Sequence, residues 1–165
     1  MKFNQDLIDG KAGEKAIAEY LIKEEGWELL AFNRSSDKEK LKHFDIAMWD
    51  ADKNLQLIEV KTDRWETFNY ETDNIFVEFM CSGTYSGIKT TKSTLYAFYF
   101  PDYEEAFLIE TDKLKADIRT PGVVHHVQTG AGDDDKVTSY LINRREHRDL
   151  FTTYKVPKKY HDKYL

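Results

Sequence analysis

Two short segments, residues 44–49 and 55–61, are rich in apolar, β-branched and aromatic side chains, and Asp50, Ala51, Asp52, Lys53 and Asn54 separate them. Two such runs joined by a short polar stretch predict a pair of antiparallel strands closed by a hairpin turn. Side chains alternate across a strand, so Ile58 and Val60 leave one face while Glu59 and Lys61 leave the other. Asp45, at the start of the partner strand, then lies close to Glu59. The rest of the chain is organised around this hairpin.

Two carboxylates and a lysine at one end of a hairpin suit a particular chemistry. A hard divalent cation such as Mg²⁺ takes oxygen ligands in near-octahedral geometry, commonly one or two carboxylates completed by waters and a substrate phosphate. Asp45 and Glu59 supply the carboxylates in this reading, and the carbonyl of Val60 adds a backbone oxygen. Lys61, on the same face as Glu59, is placed to hold or polarise an attacking water and to offset charge building on a phosphate. The plainer alternative is a solvated strand face carrying a cross-strand ion pair worth at most about 1 kcal/mol.

Phe44, Asp45 and Ile46, followed by Ile58, Glu59, Val60 and Lys61, resemble the signature of the PD-(D/E)XK nuclease superfamily: an Asp, a spacer, then an acid, any residue, and Lys. The resemblance implies Asp45 and Glu59 as metal ligands, Lys61 as the catalytic lysine, Mg²⁺ as the cofactor with Mn²⁺ as a substitute, and DNA as the partner. The superfamily's usual Pro before the Asp is replaced here by His43 and Phe44. In several branches, Holliday-junction resolvases among them, a glutamate on the first helix reaches the metal site, and Glu14 after Gly13 looks similar. An ordinary acid favoured near a helix N-terminus is the alternative for Glu14.

At 165 residues the chain fits one domain, residues 1–165, able to bury roughly 70% of its unfolded surface. The single cysteine, Cys81, excludes an internal disulfide framework and suits a reducing compartment. No window of 18 apolar residues occurs, so a cytoplasmic protein with no membrane partner is expected, and the resemblance to phage-encoded members implies a bacterial host or phage-infected cell. The net charge of −6 argues mildly against nucleic acid, but its distribution does not. Residues 137–165 carry seven Lys or Arg against three Asp or Glu, among them Arg144 and Arg145, interleaved with Tyr154 and Tyr160. This basic end either tracks a phosphate backbone or forms a surface tail.

Ala12, Ala16, Ile17, Tyr20 and Leu21 follow helical spacing, and Gly26 is a natural stop. Residues 27–33 predict a first strand, and residues 34–42 a polar loop leading to Asp45. Residues 62–74, polar with aromatics, predict a substrate-contacting loop, and residues 75–79 a strand in which Glu78 interrupts the apolar run. Glu78 is a candidate polar group near the site, as in resolvase-like and phage members of the superfamily.

The Gly-, Ser- and Thr-rich residues 82–94 carry Lys89, Thr91 and Lys92, a phosphate-positioning element in outline, or else a glycine turn with a helix cap. Residues 95–100 and 105–110 predict a strand hairpin, and Thr111 the N-cap of a short helix. His125 and His126, adjacent in a strand, face opposite ways and do not share a metal.

The expected fold is α/β with a restriction-endonuclease-like core, a central mixed β-sheet flanked by helices; the resemblance covers about residues 10–110. The expected function is metal-dependent deoxyribonuclease action by a Mg-dependent endonuclease. A structure-selective, Holliday-junction-resolvase-like, phage-encoded and dimeric subtype is favoured by the small size, the Glu14 helix and the absence of a sequence-reading module, with restriction-type or end-processing activity as the other options. The alternative is a non-catalytic nucleic-acid- or protein-binding module on a nuclease scaffold.

Overall fold

The computed structural model of the chain describes residues 2–37, 43–64, 72–130 and 136–165. Helix α1 (Lys2–Glu25) buries Ala12, Ala16, Ile17, Ala18 and Leu21 along one stripe and ends at Gly26, whose φ of +70° suits a residue without a Cβ. It begins well before the stripe, and Leu7 and Ile8 in its first turns are exposed.

Strands β1 (Glu28–Phe32), β2 (Ile46–Trp49) and β3 (Leu55–Thr62) form an antiparallel meander, so the predicted hairpin is present. β4 (Asn74–Cys81) and β5 (Thr84–Tyr85) follow, then β6 (Leu95–Phe100) and β7 (Glu105–Glu110), joined as predicted through a tight turn in which Glu104 adopts a φ of 54°. Helix α2 (Thr111–Arg119), β8 (His126–Thr129), β9 (Val137–Asn143), β10 (Thr152–Lys155) and α3 (Lys159–Asp162) complete the described elements.

The central sheet runs β1-β2-β3-β6-β7-β10, and β3 with β6 is its parallel pair, which makes it mixed. A parallel pair needs a long crossover, and the chain between β3 and β6 supplies it by leaving the sheet to build β4 and β5. All six residues of β6 are buried, as a continuous apolar run predicts for a strand covered on both faces. One face packs Ile46, Ile58, Val60, Ala97 and Tyr99 against α1. The other packs Tyr96, Phe98, Phe100, Phe107 and Ile109 against Ile75, Val77 and Ile142 and against Leu114 of α2.

Ile75, Val77 and Ile142 belong to a second, antiparallel sheet, β5-β4-β9-β8. The α/β class with a central mixed sheet flanked by helices is therefore what the chain adopts, with this second sheet as an addition that local patterns do not reveal.

Thr111 is not the helix cap: Glu110 holds that position, and the Thr111 side chain is buried with its hydroxyl 3.2 Å from Ser93 Oγ. The basic end is not a loose tail either. β10 pairs with β7, Tyr160 is buried in the core that α1 shares, and Lys163 pairs with Glu19 of α1. The predicted loops at 34–42 and 62–74 fall largely outside the described residues.

Candidate active site

The register of the hairpin is set at its turn. Asp50 Oδ1 accepts hydrogen bonds from the backbone N–H groups of Asp52 (3.0 Å) and Asn54 (2.9 Å), a side-chain substitute for backbone turn bonds. Ile46 then stands opposite Ile58 and Ala47 opposite Leu57, so one further step sets Asp45 across from Glu59. The side chain of Asp45 is held as well, because Oδ2 accepts the Val60 N–H at 2.7 Å.

Glu59 and Lys61 leave the face of β3 opposite to α1. Glu59 is 9% exposed and its Oε1 lies 2.7 Å from Lys61 Nζ. Burial and then the neighbouring Glu59 charge push the Asp45 carboxyl up to about 7, against the pull of Lys61 and of the Val60 N–H. The Glu59 carboxylate holds the Lys61 ammonium above its usual range against partial desolvation, so Lys61 is a fixed cation at neutral pH.

Helix α1 comes to the same end of β3. A Cβ on Gly13 would meet Thr62 Oγ1 at 1.8 Å, so the helix can lie this close only with glycine there. Glu14 follows directly. Burial raises its pKa, Glu59 adds to the rise, and Arg34 offsets part of it through a 2.7 Å contact to Oε2. Glu14, Asp45 and Glu59 therefore sense one another, though among the described residues no three His, Cys, Asp or Glu side chains converge into a ready cage for a metal.

Sequence reasoning missed Tyr96 and Arg34. Tyr96 pairs with Glu59 in the parallel β3–β6 register, and burial raises the pKa of its phenol, which also senses Lys61 and Glu59. A parallel partner is set by the crossover, and no local pattern in the sequence specifies it.

The other candidates are placed as follows. Lys92 is exposed, and its N–H donates to the His43 carbonyl at 3.1 Å, which fastens this segment two residues from Asp45. Lys89 is exposed on the preceding 3₁₀ turn. Thr91 is buried, with its hydroxyl committed to Ser93 Oγ at 2.8 Å, so it stiffens the segment and does not face a ligand. Glu78 lines a cavity with Lys61 and accepts the Ser86 hydroxyl at 2.6 Å. Arg144 is 1% exposed, lies over the rings of Phe100 (4.5 Å) and Tyr103 (4.9 Å) and pairs with Asp73 at 2.9 Å, a packing role that keeps it from a phosphate. Arg145 is on the surface, 2.8 Å from the same Asp73. Elsewhere in the basic end, Arg148 contacts Glu105 and Lys158 contacts Asp162, so much of its charge is matched within the chain.

Fold and site together define a mixed α/β domain with a carboxylate, carboxylate, lysine constellation on paired central strands. Residues 13–78 match the domain described as Protein NO VEIN, C-terminal, and the matched stretch runs from Gly13 to Glu78, spanning Glu14, Asp45, Glu59 and Lys61. Among solved structures the chain is similar to a bacterial homing endonuclease, I-Ssp6803I, at 14% identity and a TM-score of 0.47, over 63% of this chain and 68% of that one. No curated protein matches the chain. No helix of the described residues is long and apolar enough to cross a membrane.

Proposed function

We propose that the chain is a metal-dependent deoxyribonuclease of the PD-(D/E)XK type, hydrolysing DNA phosphodiester bonds at the Asp45, Glu59 and Lys61 site. The observation that carries this reading is the Asp45–Glu59 pair. Two hard oxygen donors face one another where burial and mutual repulsion keep one of them from ionising freely, and a divalent cation relieves both penalties.

The donor set fits Mg²⁺, with Mn²⁺ as a substitute: Asp45 and Glu59 would hold the ion. The Val60 carbonyl would join them, since an extended residue sends its C=O to the same side as its N–H, here the Asp45 side. Lewis-acid stabilisation of charge on the phosphate is what such an ion supplies when bound.

The chain's own groups do the rest. Lys61, protonated and held by Glu59, donates to a phosphate oxygen or to the attacking water and offsets developing negative charge. Glu14, half-buried at the start of the α1 stripe, assists from the helix side, with Arg34 setting its orientation. Exposed Lys89 and Lys92 approach the backbone of the strand, Lys92 from beside His43. A structure-selective enzyme in the manner of Holliday-junction resolvases, dimeric and acting in the cytoplasm of a bacterial or phage-infected cell, remains our reading of the subtype.

The test is cleavage of labelled linear duplex, single-strand, flap and four-way-junction DNA, with Mg²⁺ and with EDTA, by wild type and Glu59→Ala. Cutting that needs the metal and is lost in the variant supports the proposal, and the preferred substrate names the subtype.

Two observations favour a second reading, a non-catalytic module that binds nucleic acid or protein. Glu14 is engaged by Arg34, and no three ligating side chains converge among the described residues. Tight DNA binding without cutting of any substrate would select it.

A further inference from the structure

Beside the carboxylate pair, a cavity of about 240 Å³ opens between the ends of β3 and β6 and the strands β4 and β9. Its lining includes Lys61, Phe76, Glu78, Phe98, Phe100 and Ser139. Thr62 and Asp63 line it too, and three phenylalanines with two carboxylates and two hydroxyls in a space this small suit a single planar ring with hydrogen-bonding edges and are a poor match for a duplex or a peptide segment. Aromatic faces stack on bases regardless of sequence, and enzymes that take a base out of its stack hold it between aromatic or apolar walls while polar groups read its edge. Lys61 belongs to both the cavity and the carboxylate site. A nucleotide whose phosphate meets Lys61 therefore has its base within reach of the cavity.

We propose that this cavity receives one unstacked base of the DNA strand, next to the phosphate at Lys61, so that the substrate carries an unpaired nucleotide at that position. The proposal rests on the nuclease reading and narrows its substrate. It also assigns Glu78 an edge-reading role. The Ser86 hydroxyl holds one oxygen of its carboxylate at 2.6 Å, and an oriented carboxylate accepts from an exocyclic amine such as cytosine N4. Thymine offers two carbonyls flanking its single ring N–H and is disfavoured there by repulsion.

The experiment uses the full chain carrying Glu59→Gln, so that DNA is bound and not cut, and fluorescence anisotropy with labelled probes of one sequence. The probes are a single strand, a matched duplex, and duplexes with one unpaired cytosine or one unpaired thymine. The single strand and the bulged duplexes are expected to bind on the order of 10-fold more tightly than the matched duplex, with cytosine ahead of thymine.

Adding Phe76→Ala, at a half-buried lining residue outside the core clusters, removes most of that advantage. Adding Glu78→Gln, an isosteric change that tests the same cavity should Phe76→Ala fail to fold, erases the cytosine preference. Equal binding of matched and unpaired DNA, or an equal loss on every probe in the Phe76→Ala variant, overturns the base cavity and leaves the nuclease reading standing. No binding to any probe, together with no cleavage by wild type, overturns both.

Discussion

Replacing Asp45 with Asn changes one property of the site cleanly. The amide oxygen keeps the shape and can still accept the Val60 N–H, but the group no longer ionises. In the metal-free protein the Asp45 carboxyl is pushed from 3.8 up to about 7, by burial first and by Glu59 next. A folded-state pKa above the unfolded one means the folded chain binds more protons in between. Stability from this group is therefore fully present below pH 4 and is lost as pH rises through about 7. A gap of roughly three units at 1.36 kcal/mol each sets a ceiling of about 4 kcal/mol. For a domain of this size about 4 kcal/mol corresponds to roughly 8–16 °C in Tm.

Thermal melts in EDTA at pH 4.5 and pH 8 measure the effect. Wild type and Asp45→Asn should melt close together in acid, and the variant should melt well above wild type at pH 8. Parallel pH dependence of the two proteins would show that Asp45 titrates normally, and the electrostatic account of the site would fail.

Five other substitutions are sharp. Gly13→Ala puts a methyl 1.8 Å from Thr62 Oγ1 and should cost about 1–3 kcal/mol in urea unfolding. Gly10→Ala, on the same helix with nothing within 4 Å, should stabilise by up to about 1 kcal/mol. Lys61→Met should lower the rate of DNA cleavage by about 10²–10³ while affinity for uncut DNA in EDTA changes far less, since the ammonium acts on charge that develops during reaction. Arg144→Ala should destabilise by about 3 kcal/mol, because it strips a buried cation from Phe100, Tyr103 and Asp73. Arg145→Ala, 67% exposed on the same Asp73, should cost under about 1 kcal/mol in the same denaturation assay.

What could be read in the chain was whatever is written in local periodicity. Alternation around Ile58 and Val60, with a polar turn at Asp50, was enough to set Asp45 across from Glu59. The aromatic run of residues 95–100 announced a strand paired with 105–110, and that it is covered on both faces emerged only from the fold. Pairings made by distant chain were invisible: Tyr96 beside Glu59 follows from a crossover, and the contact of Gly13 with Thr62 follows from how α1 lies on β3. The second sheet escaped notice because β4 and β9 are each short strands like any other, and only their mutual pairing separates them from the central sheet. Arg144 misled for a related reason. An arginine in a basic stretch reads as surface, and its burial depends on Phe100 and Tyr103, more than forty positions earlier in the chain.

The two functional readings ask different things of the buried acids. A module that binds through its surface gains nothing from a carboxyl at about 7, which only lowers stability at neutral pH. For an enzyme that takes up a divalent cation the same cost is removed on binding, because opposite charge favours the ionised acid. Mg²⁺ should therefore raise the Tm of wild type at pH 8, by about 2.7 kcal/mol or roughly 5–11 °C at 100 times its Kd. The rise should shrink at pH 5, where a proton must first leave Asp45. Asp45→Asn and Glu59→Gln should each abolish most of it. If Mg²⁺ leaves the melting curve of wild type unmoved at both pH values while DNA still binds, the carboxylate pair has no cation to serve and the binding module is the better account.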